Sequence, residues 1–191
     1  MSMTIIVFPP GAGGNHLKNL LMLDNIDVDK LYSSHTVHNQ PGDNFKIDQA
    51  YDSNGKFKDC IMLGHFGEVM SHQEKIKTWP NRKFILISPD TPADRELLHS
   101  RWNKLGSHYQ AFKLGSYYDG EQVFLYEAFI FRDCFATDMC SIMNISISEW
   151  FTLDISPVLD RVSKFLNTEL DIEKCLALHK IWCNNNLDIE K

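Results

Sequence analysis

The stretch VFPPGAGGNHLKNLL, residues 7–21, decides how this chain is read. It follows the apolar, β-branched run TIIVF (4–8), which suits a strand buried on both faces. Pro9, Pro10, Gly11, Gly13 and Gly14 then interrupt the chain, and Leu17, Leu20 and Leu21 resume at helical spacing. The stretch therefore joins the carboxyl end of a strand to the amino end of a helix. Glycines at 11, 13 and 14 let backbone N–H groups converge on one point, and the helix adds its partial positive charge there. Gly11, Ala12, Gly13, Gly14, Asn15 and His16 are accordingly candidates for holding a phosphate or sulfate. A tight strand-to-helix connection without a ligand is the plainer reading of the same residues.

The chain has 191 residues, 43% of them hydrophobic, enough for one sizeable core, and one domain over 1–191 is the expectation. A formal charge of -6 at pH 7 argues against broad nucleic-acid binding but leaves room for a local anion pocket. The five cysteines, Cys60, Cys134, Cys140, Cys175 and Cys183, include no C-x-x-C, so they read as mostly buried thiols in a reducing compartment. TIIVF is too short for a signal-peptide core or a membrane span, and a cytoplasmic protein without membrane contact is expected.

Further strands are expected at CIML (60–63), KFILIS (83–88) and NISIS (144–148), with a helical stretch from about Glu68 to Lys77. A helix over about 92–105 has Thr91 as N-cap, Pro92 at its first position and Asp94 three after the cap. Residues 121–139 are aromatic-rich and read as a buried helix on length. Ser156 and Pro157 open another helix with Val158, Leu159, Val162, Phe165 and Leu166 on one face, and a last helix spans about Ile172 to Asn184. Alternating strands and helices predict an α/β fold with a mainly parallel sheet covered on both faces, which binds ligands at its strands' carboxyl ends. Residues 32–58 are polar and turn-rich, a long excursion or a hairpin near the site.

The nucleoside-triphosphate loop G-x-x-x-x-G-K-[ST] is absent, and G-x-G-x-x-G also fails because His16 stands at its last glycine. The stretch instead resembles the loop of the sulfotransferases that use 3′-phosphoadenosine 5′-phosphosulfate (PAPS). Their P-K-x-G-T-T-W-L pattern aligns with PGAGGNHL, with Pro10, Gly13 and Leu17 in step and His16 at the tryptophan. That family places its catalytic histidine just after the second strand, as His65 stands in CIMLGHF. The segment ISISEWFTLDISPVLDRVSKFL is similar to the family's strand, glutamate and helix near the C-terminus, with Glu149 and Phe165-Leu166 matched.

The resemblance implies a three-layer, P-loop-type fold and transfer of a sulfuryl group from PAPS to an acceptor hydroxyl or amine on a small molecule or glycan, without a metal. His65 would be the base. The backbone of Gly11 to Asn15 would hold the phosphosulfate. Gly11 takes the position of the family's lysine, for which Lys18 would substitute, because helical side chains lean toward the amino end. The family's 3′-phosphate motif maps onto DTPAD (90–94), with Asp90 in place of arginine and Leu98 in place of serine. Arg95 or Arg101 would then compensate. No glycine-rich phosphate loop follows Trp182. Three readings stay open: the sulfotransferase-like enzyme, a non-catalytic relative that binds an anion, and an enzyme using a donor without a 3′-phosphate.

Among the other histidines, His35 and His38 have i, i+3 spacing without a third metal ligand nearby, and loop polarity accounts for them more simply. The tryptophans read as core.

Overall fold

The computed structural model of the chain describes residues 3–9, 11–23, 47–56, 60–105, 132, 135 and 141–187. It is an α/β fold. Strands β1 (Met3–Val7), β2 (Cys60–Gly64), β3 (Arg82–Ser88) and β4 (Ser141–Ser146) form one sheet in the order β2-β1-β3-β4. All pairings are parallel, with Val7 opposite both Gly64 and Leu86, and Leu86 opposite Asn144. Between strands lie α1 (Gly14–Leu21), α2 (Phe66–Ser71), α3 (Gln73–Lys77) and α4 (Pro92–Leu105). After β4 come α5 (Ile147–Trp150), α6 (Ser156–Leu166) and α7 (Ile172–Asn186).

Burial follows the strand period of two. Ile6, Ile85, Ile87 and Ile145 face one core with Leu17 and Leu20 of α1, Leu159 and Val162 of α6, and Leu178 and Trp182 of α7. Met3, Ile5, Val7, Met62, Phe84 and Leu86 face the other, against Phe66, Val69, Ile76, Trp79 and Phe135. Each such side chain contributes about 1.5–3 kcal/mol on burial, which explains why TIIVF reads as a continuous apolar run rather than an alternating one.

Local signals account for most of the element ends. Thr91 Oγ1 accepts from the Asp94 N–H at 3.1 Å, and Asp94 Oδ2 accepts from the Thr91 N–H at 2.9 Å, a reciprocal cap that starts α4 where expected. The expected helix from Glu68 to Lys77 is broken at His72 into α2 and α3. The strand expected at 144–148 instead spans 141–146. Ser146 and Glu149 form a capping box that turns the chain into α5, and this local S-x-x-E pattern outweighs the alternation of NISIS. Ser156 is the first residue of α6 rather than its cap; its N–H and Oγ both donate to Asp154 Oδ1, at 2.9 and 2.6 Å. The last helix runs to Asn186, two residues past the expected end. Lys83 Nζ of β3 donates to the Phe165 carbonyl at 2.6 Å, tying the last turn of α6 to the sheet.

The chain leaves β1 for β2 on one side and then crosses to β3 on the other, so the strand order reverses between β1 and β3. In open parallel sheets that reversal opens a crevice at the carboxyl ends of the two strands. Residues 8, 9 and 11–13 after β1 and 89–91 after β3 flank it. No described helix is long and apolar enough to cross a membrane. The expected helix at 121–139, apart from residues 132 and 135, and most of the polar excursion at 32–58 lie outside the described residues. Within the excursion, a 3₁₀ turn spans Ile47–Ala50, and Asp52 Oδ1 accepts from the N–H groups of Asn54 and Lys56.

Candidate functional site

The loop after β1 is held by its own backbone. The Ala12 N–H donates to the Pro9 carbonyl at 3.1 Å, and Gly11 and Gly13 sit at φ 80° and 79°, a left-handed conformation that glycine adopts without steric cost. Gly13 is the N-cap of α1, so the loop leads directly into the amino end of the helix, which carries its partial positive charge. Ala12, Gly13, Gly14 and His16 are buried, while Asn15 and Lys18 are half-buried.

The glycines also have a packing role. A Cβ on Gly13 would lie 2.8 Å from the Trp182 ring and 2.9 Å from Trp150 Nε1, and one on Gly14 would overlap the Phe8 ring at 2.1 Å. The backbone can settle against three aromatic side chains only because nothing projects from these positions.

His65 lies directly after β2 and is half-buried. Its Nδ1 is 2.8 Å from the Phe8 carbonyl, and its ring meets the Phe8 ring edge-on at 5.0 Å. A carbonyl oxygen only accepts, so Nδ1 carries the proton, and in the neutral ring the lone pair sits on Nε2. The expected base and the glycine loop are thus joined across 57 residues of sequence by a direct bond.

The arginines stand elsewhere. Arg95 is half-buried and turns back on its own helix, its Nε donating to the Thr91 carbonyl at 3.4 Å. Arg101 is 2% exposed; its guanidinium lies 4.5 Å over the Trp182 ring and 5.5 Å over Phe151, with Nη2 3.5 Å from Asn186 Oδ1. Asp90, at the family's arginine position, is neutralised by Arg132, whose Nη2 reaches its two carboxylate oxygens at 3.0 and 3.2 Å. The same Nη2 lies within hydrogen-bond distance of Asn144 Oδ1, at 2.9 Å, and of Ser88 Oγ, at 3.2 Å, so its two hydrogens are shared among these acceptors; Asn144 donates in turn to Asp90. Leu98, at the family's serine position, is buried in the core.

Sequence reasoning missed the layer beneath the loop. His16 Nε2 bonds His179 Nδ1 at 3.1 Å, and His179 Nε2 donates to the Thr152 carbonyl at 2.7 Å. Burial, then the neighbouring His179 and Arg101, hold His16 well below the ordinary histidine range. Burial lowers His179 to about 4, partly opposed by its bond to Thr152. Cys183, 3.1 Å from His179 Nε2, is pushed up to about 12 by burial, and Cys175 to about 11. These two thiols are protonated and inert at neutral pH. The one local signal for this layer was the i, i+4 spacing of His179 and Cys183 on a helix. Arg132 lies far from Asp90 in sequence and had no such signal.

Among the described residues, no group of three or more histidine, cysteine or acidic side chains is placed to hold a metal ion. His35, His38, His108, Cys134 and Cys140 lie outside the described residues. Comparison with protein families, with characterised proteins and with solved structures finds no match to this chain.

Proposed function

We propose that the chain is a P-loop-type, sulfotransferase-like protein whose Gly11 to His16 loop holds the anionic end of a donor, with His65 as the base that accepts an acceptor's proton. The reading rests on one observation, the bond from His65 Nδ1 to the Phe8 carbonyl. It fixes an imidazole directly after β2 to the backbone that leads from β1 into the glycine loop, at the carboxyl ends of two paired parallel strands, the edge at which such folds bind ligands.

The roles follow from the chemistry of each group. N–H groups of the loop and the first turn of α1 hold oxygens that gain negative charge as the donor's leaving phosphate departs. Lys18, half-buried on α1, supplies a cation on the same helix. His65 donates through Nδ1 to Phe8, which fixes the ring, and takes the proton of an acceptor hydroxyl or amine at Nε2. A phosphosulfate bound there would supply a sulfuryl group, which carries less charge than a phosphoryl group and calls less for a metal clamp.

The fit to PAPS is partial. The loop suits its phosphosulfate end. Its 3′-phosphate has no matching cation in the described part of the site, because Arg101 lies in the core on Trp182, Arg95 bonds its own helix, and Arg132 serves Asp90. That placement favours the second reading, a donor without a 3′-phosphate or an anion-binding protein that performs no transfer.

Calorimetry with adenosine 3′,5′-bisphosphate, adenosine 5′-phosphate and sulfate separates these. Tighter binding of the bisphosphate supports PAPS as donor. Equal binding of the two nucleotides above sulfate supports the second reading, and binding of none of the three removes the loop as an anion site.

A further inference from the structure

Beneath the glycine loop lies a buried stack of side chains; the proposed chemistry uses the His16 backbone but none of these rings. His16 of α1 lies flat on Trp182 of α7, ring centroids 4.6 Å and planes 2° apart, and Arg101 of α4 lies over the same indole. Trp150 of α5 adds a fourth ring, 5.1 Å from His179. The proton positions are fixed by chemistry. The Thr152 carbonyl only accepts, so Nε2 of His179 carries the proton, and a neutral His179 then presents a bare Nδ1. The contact with His16 therefore requires His16 Nε2–H as donor. This one-way relay ties α1 to α7 and to the segment after α5.

We propose that the His16–His179 pair is an acid-sensitive latch that joins α1 to α7, and that protonation of His179 opens it. A proton on His179 Nδ1 would set two donors face to face and break the bond. A proton on His16 Nδ1 would keep the bond but add a second cation to the indole that already carries Arg101. Among the described residues, the titratable and charged groups facing the pair are Cys183 from α7 and Arg101 from α4. Cys183, held protonated by burial, brings no negative charge to offset a histidine cation. At neutral pH the latch is closed. Gly13 packs on Trp150 and Trp182, so opening loosens the glycine loop whatever that loop binds. The latch does not depend on the proposed transfer chemistry.

The test is a histidine and indole nuclear-magnetic-resonance titration of the full chain from pH 7.5 down to about 3, with circular dichroism alongside. The expected result is a neutral His179 with its proton on Nε2 at pH 7.5. As the pH falls through about 4, the Trp150 and Trp182 indole N–H signals should then shift in step with proton uptake by the pair, while helical ellipticity persists. The proposal is overturned if His179 carries its proton on Nδ1, if the indole signals stay fixed as the pair titrates, or if the whole chain unfolds in the same step. His179→Gln, whose amide can still donate to Thr152 and accept from His16, should lose the acid step. A folded variant that retains it also overturns the latch, and the wild-type titration decides alone should the variant not fold.

Discussion

His16 and His179, 163 residues apart, share a hydrogen bond of 3.1 Å in a site that is 1% and 0% exposed at the two residues. The first belongs to the helix that begins at the glycine loop, the second to the C-terminal helix. Their bond makes the loop's support a property of both ends of the chain.

Stability should therefore depend on pH in a defined window. An unfolded histidine takes up a proton near 6.5, whereas folded His179 does so only at about 4. Between these values the unfolded chain binds more protons, so the contribution is complete above 6.5 and is lost as pH falls toward 4. For His179 alone the difference corresponds to about 3 kcal/mol. Urea midpoints measured at pH 7.5, 5.5 and 4.5 should fall in that order, and a flat series would show that neither histidine is held neutral.

Gly13→Ala should destabilise by about 2 kcal/mol or more. The substitution combines a left-handed φ with a Cβ placed under 3 Å from both indoles, and neither ring is free to withdraw from the core. The loss should appear in the denaturant midpoint without any ligand present. A variant as stable as wild type that has lost only anion binding would mean that the glycine serves the ligand and not the packing.

Asp94 links two elements: it caps α4 through Thr91 and accepts the Ser148 N–H at 2.7 Å. Burial alone would raise its carboxyl, but the bonds from Ser148 and Thr91 outweigh that and hold it below the ordinary range. Its contribution is thus present above about 3.8 and is lost as pH falls through its lower folded value. Asp94→Asn sets an amide donor against N–H groups and should cost about 1–3 kcal/mol in thermal or urea unfolding at pH 7. A cost under a few tenths would show that the cap contributes little.

His65→Asn keeps a side-chain donor for the Phe8 carbonyl but removes the proposed base. If transfer from PAPS occurs, release of adenosine 3′,5′-bisphosphate in an acceptor mixture should fall about 10²–10⁴-fold, with anion affinity by calorimetry almost unchanged. Activity retained in this variant would take His65 out of the chemistry and leave it as a support for the loop.

How much of this was legible in the sequence varied with distance along the chain. TIIVF, the glycine loop and the α1 pattern lie within eighteen consecutive residues, 4–21, and their order and type are as read. The caps of α4 and α5 span four residues each, and the second was present as Ser146-x-x-Glu149 even though the alternation beside it pulled the strand too far. His65 was placed after its strand correctly, but its bond to Phe8 depends on β1 and β2 pairing in parallel with Val7 opposite Gly64.

By itself, then, the sequence determined the alternation of buried strands and amphipathic helices and the glycine connection at residues 9–14, because propensity, capping and periodicity act over three to four residues. Only the tertiary structure decided what those glycines touch, that Arg101 lies on Trp182 inside the core, that Arg132 neutralises Asp90, and that His16 meets His179. Each of these is a contact between elements far apart in sequence. Such contacts arise from close packing of whole faces, where the partner of a side chain is set by strand order and helix docking rather than by its neighbours in the chain.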